Sequence, residues 1–109
     1  MKTRRFLVVV MLLFASTTPV WANDQAAFYD SIKNRAAQGE ASAQSALGFM
    51  YFKGEGVPQD YVQAHKWLNL AAADSPTGYV AEMRDYVAAD MTPVQITEAQ
   101  KLAREWKKK

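Results

Sequence analysis

The chain has a single histidine, and this residue type makes it the first candidate for catalysis or metal binding. His65 lies beside Lys66 in a segment with helical periodicity. An imidazole can act as a general base, but a zinc site needs several ligands, and no His/Asp/Glu cluster stands at ligand spacing. We therefore expect His65 to be solvent-facing or half-buried and not catalytic. These residues predict no metal site and no cofactor.

Two pairs of carboxylates, Glu82/Asp85 and Glu55/Asp60, have a spacing that acid–base chemistry could use. Glu55 stands between two glycines, as residues of phosphate-binding loops do. However, the segment has neither the Gly-Lys-Ser/Thr sequence nor the preceding strand of such a loop. We interpret both pairs as ordinary surface charge. The residues alone therefore predict that the protein is not an enzyme.

Residues 1–22 have the three regions of a secretory signal peptide, in order. Three basic side chains within residues 2–5 precede an apolar run at residues 6–15, and Val20-Trp21-Ala22 ends the segment at a plausible cleavage site. The run is about half the ~20 apolar residues that a membrane-spanning helix needs. We expect cleavage after Ala22, no membrane insertion afterwards, and export to the periplasm, with secretion as the alternative.

The charge of the chain changes when this leader is removed. The whole chain has 13 Lys+Arg and 11 Asp+Glu, and the leader holds three of the bases, so residues 23–109 carry 10 minus 11, a net charge of −1. A slightly acidic body argues against a nucleic-acid binder. The absence of cysteine excludes disulfides, a thiol nucleophile and cysteine-based metal sites. The remaining 87 residues suffice for one small domain.

Apolar residues recur at helical spacing along the whole of this domain, which we predict to be all-α. Asn23-Asp24 is a candidate cap for the first helix, whose stripe is Phe28, Ile32 and Ala36. Tyr79, Met83 and Tyr86–Val87 align on the fourth helix, and Thr92-Pro93-Val94-Gln95 predicts a capped start for the fifth. The five predicted helices cover residues 24–38, 40–52, 61–73, 79–89 and 93–107.

The joint between the second and third helices contains two glycines and a proline. Gly54 stands where a left-handed helix cap is usual, and Gly56 allows a second residue with positive φ. Val57 can turn back onto the hairpin, and Pro58 has no backbone donor to leave unpaired before the next helix, which Asp60 can cap. Gly48, inside a helix, is tolerated if another helix passes close to it, near Ala64 or Trp67.

These positions together resemble a Sel1-like repeat over residues 40–75. The resemblance implies a short right-handed α-solenoid of antiparallel helix hairpins, similar to tetratricopeptide arrays. Residues 24–38 would be the second half of a preceding repeat, although no tryptophan stands where Trp67 would map, and residues 79–107 would be a closing helix pair. The residues that carry the resemblance are Ala41-Ser42-Ala43-Gln44, Leu47, Gly48, Met50, Tyr51, Gly54, Gly56, Val57, Asp60, Ala64, Trp67, Ala71 and Ala72.

The resemblance also implies a function, that of a bacterial protein–protein interaction module or adaptor in the cell envelope. Phe49 and Phe52 occupy positions that the repeat pattern leaves variable, on the helix that lines the concave face of such solenoids. We predict that they form a partner-binding surface with Lys53 at its rim. Packing of both rings against the flanking helices is the alternative. The partner would be another protein or peptide.

Two other functions remain open at this point. Some secreted relatives are associated with β-lactams, so a small enzyme acting on β-lactams or cell-wall material is one alternative. A serine-type version would need Ser-x-x-Lys, and no lysine after the leader has a serine three residues before it. Self-assembly of a short array into a homo-oligomer through its ends is the other alternative.

Overall fold

The structure is a computed structural model, and it describes residues 20–74 and 77–109. In these residues the chain forms five α-helices and no strand, as predicted. Most of the predicted leader therefore lies outside the described residues, as does the middle of the predicted turn at residues 74–78. The helices are α1 (Val20–Ala37), α2 (Ala41–Lys53), α3 (Tyr61–Ala71), α4 (Tyr79–Ala88) and α5 (Pro93–Glu105).

The first helix is longer than the sequence predicts. It includes Val20–Ala22, so Asn23 and Asp24 lie within the helix and do not cap it. The reason is that the intact chain continues the helical backbone ahead of Asn23, and a cap is needed only where a helix begins. At its other end α1 stops at Gly39, which has a φ of 92°. Arg35 Nε then donates to Glu40 Oε2 at 2.9 Å across the turn into α2.

The joint between α2 and α3 has the backbone that its glycines predict. Gly54 is the left-handed cap of α2, with a φ of 72°, and its N–H donates to Met50 O at 2.8 Å. Gly56 also has a positive φ, 77°. The joint is tied back to α2 because Asp60 N donates to Tyr51 O at 2.9 Å. The Asp60 carboxylate then accepts from Gln63 N and so caps α3.

The predicted start of α5 is confirmed in detail. Thr92 Oγ1 accepts from Gln95 N at 3.2 Å, and Gln95 Oε1 accepts from Thr92 N at 2.9 Å. This reciprocal pair is a capping box, with Pro93 at the first helical position. It satisfies two backbone donors that a helix start would otherwise leave unpaired.

The third helix is the centre of the packing, and it contacts α2, α4 and α5. The small residue Gly48 allows α2 and α3 to approach closely. A Cβ on Gly48 would lie 2.8 Å from Leu68 Cγ and 3.2 Å from Ala64 O, so no larger residue fits there without a shift. The third helix thus passes close to Gly48, next to Ala64 as expected, with Leu68 as the nearest side chain.

Two groups of buried side chains meet at α3. We call the first the Trp67 cluster, and it joins α1, α2 and α3. The second cluster joins α3 to α4 and α5. The Trp67 cluster consists of Ile32, Ala36, Ala43, Leu47 and Trp67, with Trp106 packed against it. The second cluster consists of Ala64, Leu68, Val87, Met91 and Ala99.

The end of the chain returns to its beginning. Trp106 follows α5 in an extended conformation, and its ring centroid lies 6.3 Å from that of Trp67 in an edge-to-face arrangement. Beyond it, the side chain of Lys108 packs beside Gly39. Lys109 N donates to Ala37 O at 2.9 Å, at the C-terminal end of α1. The residues after α5 therefore contribute to closing the Trp67 cluster.

Candidate functional site

Aromatic side chains from three helices lie together on one side of the molecule. Phe52 is half-buried between two tyrosines, with its ring centroid 5.8 Å from Tyr61 and 5.8 Å from Tyr86. Phe49 lies one turn earlier on α2, and its ring is 6.5 Å from that of Tyr79. We call Phe49, Phe52, Tyr61, Tyr79 and Tyr86 the aromatic face. The two phenylalanines predicted to bind a partner are thus the base of a larger aromatic surface.

The two tyrosines of α4 are the exposed part of this face. Tyr79 is 67% exposed and Tyr86 is 61% exposed. Apolar spacing predicts that they share a face with Met83 and Val87, but only Val87 of that set is fully buried. The helix turns Ala81 and Val87 toward α3, because small side chains allow the closer approach. A second set of residues at helical spacing on α4 could have indicated which side of α4 packs on α3. This set consists of Val80, Ala81, Arg84 and Val87.

Charged side chains surround the aromatic face unevenly. Lys53, predicted at its rim, is exposed at the last turn of α2, next to Phe52. On α4, Glu82 is exposed between the two tyrosines. Arg84 Nε donates to Asp85 Oδ1 at 3.0 Å, so these two charges balance each other. Of the two carboxylates that stand between Tyr79 and Tyr86 in sequence, Glu82 is therefore the one without an ion pair among the described residues.

His65 is buried, which corrects the prediction that it is solvent-facing or half-buried. It is 4% exposed on the side of α3 that faces α4, and its Nδ1 is buried without a hydrogen-bond partner among the described residues. Burial lowers the pKa of His65, and the nearby Arg84 lowers it further, while Asp85 opposes them. The sequence missed this because a histidine beside a lysine looks polar, although it is one position from buried Ala64.

A second concave surface lies beside the start of α1. It is an open recess of about 450 Å³ between α1 and the α2–α3 joint. Phe28, predicted to share a buried stripe with Ile32 and Ala36, lines this recess and is 62% exposed. The prediction of a buried stripe is confirmed for Ile32 and Ala36. It is wrong for Phe28, which lies beyond the part of α1 that packs into the Trp67 cluster. Its other lining residues are Asp24, Gln25, Met50, Glu55 and Gly56.

The carboxylate pairs of the sequence analysis do not converge on a pocket. Glu55 and Asp60 are both exposed, and Asp60 is used as the cap of α3. Across residues 20–74 and 77–109, no three His, Asp or Glu side chains are grouped so that they could hold a metal ion. In the same part of the chain, no helix combines the length and apolar character needed to cross a bilayer.

Comparison with known proteins identifies the helix pair that carries this face. A family model of the Sel1 repeat matches residues 41–75, which include α2, the glycine joint and α3. No curated protein and no solved structure matches the chain. Sel1 repeats mediate protein–protein interactions and are usually non-catalytic. Both phenylalanines of the aromatic face lie within the matched segment, so this face begins on a helix pair that is similar to a Sel1 repeat.

Proposed function

We propose that the protein is an exported, non-catalytic adaptor of the bacterial cell envelope that binds another protein through its aromatic face. The observation that carries the proposal is the exposure of Tyr79 and Tyr86 above the half-buried Phe49 and Phe52. Large aromatic rings at a protein surface supply much of the energy of protein interfaces, because they bury a large area and lose little conformational entropy.

The position of the face on the repeat also supports the proposal. Phe49 and Phe52 lie on α2, the first helix of the Sel1 repeat, and Tyr79 and Tyr86 lie on α4, the first helix of the following pair. Stacked helix pairs present these first helices side by side, and solenoid proteins bind partners along such surfaces. The aromatic face is continuous across both helices. It therefore provides one binding surface rather than scattered single rings.

Export is proposed from the leader alone. The basic start, short apolar run and Val20-Trp21-Ala22 of residues 1–22 are those of a secretory signal peptide. The test is the intact mass of the protein purified from its producing cells. A chain that begins at Asn23 and is recovered in the envelope fraction supports the proposal. A full-length chain recovered with the cytoplasm would refute export.

The binding role is tested by photo-crosslinking in producing cells. A photoreactive amino acid replaces Tyr86 in one variant and Val94 in the control. Val94 is a suitable control because it is 78% exposed and lies on the outer side of α5. We expect a discrete adduct with a second protein at position 86 and none at position 94. Circular dichroism of both variants checks that the helices are intact.

Each outcome of this experiment is informative. A partner adduct at position 86 alone supports the aromatic face as the binding surface. Equal labelling at both positions indicates non-specific contact and contradicts the proposal, as does the absence of any adduct from a folded variant. An adduct only between copies of the chain would indicate self-assembly and contradict the proposed adaptor function.

A further inference from the structure

A carboxylate stands between the two exposed rings of α4. Tyr79, Glu82 and Tyr86 are at positions i, i+3 and i+7 of this helix, so their side chains lie on one face of it. All three side chains are exposed. Among the described residues, Glu82 forms no ion pair, whereas the neighbouring Asp85 is paired with Arg84. The row Tyr79–Glu82–Tyr86 is therefore an anionic group flanked by two mostly exposed rings.

This combination of groups is complementary to a cation. The face of a tyrosine ring carries the negative part of its quadrupole and attracts a guanidinium or ammonium group. A carboxylate adds a charge-assisted hydrogen bond to the same ligand. A guanidinium fits best, because it stacks on aromatic rings and its planar fork matches a carboxylate. An acidic ligand would be repelled by the Glu82 carboxylate at the centre of the row.

The spacing of the rings defines how two cations would be arranged. Seven residues of α-helix, at a rise of about 1.5 Å per residue, separate the Tyr79 and Tyr86 backbone positions by about 10.5 Å. A peptide in the polyproline II conformation advances by about 3.1 Å per residue with three residues per turn, so side chains three residues apart lie on one side of it, about 9 Å apart. Two cationic side chains in an x-Arg-x-x-Arg-x arrangement would therefore reach both tyrosines, with Glu82 between them.

We propose that the aromatic face binds a cationic peptide segment of its partner in the polyproline II conformation, with two arginine or lysine side chains three residues apart. The segment lies along α4, with one cation on each exposed tyrosine and Glu82 shared between them. This inference rests on the proposed function, and it states which chemistry the partner presents to the aromatic face. Phe49 and Phe52 form the floor beneath the tyrosine rings.

Lys53 limits where the segment can lie. It is exposed in the last turn of α2, beside Phe52, which contacts Tyr86. A like charge repels a second cation over several ångströms at ordinary ionic strength. The Tyr86 end of the row is therefore the weaker half of the site, and removal of the Lys53 charge should strengthen it. An acidic partner would show the opposite dependence on Lys53.

The test uses the protein purified from producing cells and three labelled ten-residue peptides in a Gly/Ser background. One peptide contains Arg-x-x-Arg, one contains citrulline at both positions, and one contains Glu-x-x-Glu. Citrulline keeps the shape of arginine without its charge. From two exposed cation–π contacts we expect the arginine peptide to bind about tenfold more tightly than the citrulline peptide. Fluorescence anisotropy measures the dissociation constants.

Matched variants assign the binding to this row. Glu82→Gln should weaken the arginine peptide about twofold to fivefold, as expected for an exposed ion pair. Glu98→Gln makes the same charge change on the outer side of α5 and should leave the affinity unchanged. Tyr86→Leu keeps apolar bulk but removes the ring, and should also weaken binding about twofold to fivefold. Lys53→Gln should strengthen it.

Equal affinity for the arginine and citrulline peptides would overturn the inference, as would equal effects of Glu82→Gln and Glu98→Gln. Tight binding of the Glu-x-x-Glu peptide would overturn it as well. These failures are distinct from failure of the proposed function. If photo-crosslinking at position 86 captures a partner but the arginine peptide does not bind, the proposed adaptor function is supported. The inference that the partner presents a cationic segment is then wrong.

Discussion

The Trp67 cluster and the aromatic face are both rich in aromatic rings, yet one is closed and the other is open. Trp67 is 8% exposed, because α1, α2 and the residues after α5 surround it. Tyr86 contacts Phe52, but none of the five described helices covers it, and it remains 61% exposed. The difference shows that residue type does not separate core from exposed surface in this fold. What separates them is whether another element stacks on the rings.

The largest expected effect in this comparison is that of removing the Trp67 ring. Trp67→Ala should lower the free energy of unfolding by about 3–5 kcal/mol, since it leaves a cavity within the Trp67 cluster and removes the edge-to-face contact with Trp106. Chemical denaturation followed by circular dichroism measures the change. An unfolding midpoint equal to that of the unmodified protein would show that Trp67 does not anchor the helices.

The next effect concerns the close contact that brings α2 onto α3. Gly48→Ala places a Cβ 2.8 Å from Leu68 Cγ and 3.2 Å from Ala64 O. Overpacking should outweigh the helix-propensity gain of about 1 kcal/mol and destabilise the protein by about 1–2 kcal/mol net. Urea titrations of the single and double variants measure this.

The control for Gly48 is a double-mutant cycle with Leu68. In a Leu68→Ala background the nearest side chain is shortened, so Gly48→Ala should become neutral or stabilising there. If Gly48→Ala destabilises both backgrounds equally, the clash with Leu68 is not the cause, and the close approach of α2 and α3 would need another explanation.

A pH-dependent effect should come from the buried side of α3. The pKa of His65 lies below its ordinary value because of burial, so the unfolded chain binds a proton first as the pH falls. The stability contributed by neutral His65 is complete above about pH 6.5, the ordinary histidine pKa, and is lost as the pH falls below it. Unfolding free energies at pH 7.5, 6.5 and 5.5 should decline more in the unmodified protein than in His65→Gln. Equal slopes would contradict the assignment.

The smallest expected change in stability is at the aromatic face. Tyr86→Ala removes a ring that is mostly exposed, so the free energy of unfolding should change by about 0.5 kcal/mol or less. The same variant should weaken the binding of the proposed partner, because the ring belongs to the open surface. Denaturation and partner capture on one preparation measure both. A loss of stability comparable to that of Trp67→Ala would place Tyr86 in the core.

Sequence reasoning succeeds here where local chemistry decides the structure. The positive φ of Gly54 and Gly56, the Asp60 cap and the Thr92/Gln95 capping box all follow from the requirements of turns and helix ends. The number and order of the helices follow from apolar periodicity. These features depend on a few consecutive residues, so the rest of the chain does not change them.

Sequence reasoning fails where the neighbouring element decides. Periodicity shows that Tyr79 and Tyr86 share a side of α4, but not that α3 packs on the other side. The burial of His65 likewise depends on α4 covering α3. The return of Trp106 to Trp67 joins residues far apart in the sequence, and no local pattern indicates it. The sequence therefore indicates only two members of the aromatic face, Phe49 and Phe52, and not its tyrosines.

The most direct test of the difference between the two regions is the solvent accessibility of their rings in the isolated protein. Fluorine NMR of 3-fluorotyrosine and 5-fluorotryptophan preparations, with a soluble gadolinium chelate added, measures it, and Tyr→Phe and Trp→Phe variants assign the resonances. We expect strong broadening of Tyr79 and Tyr86 and little broadening of Trp67. Protection of the two tyrosines equal to that of Trp67 would show that the aromatic face is closed, and would contradict its role as an open binding surface.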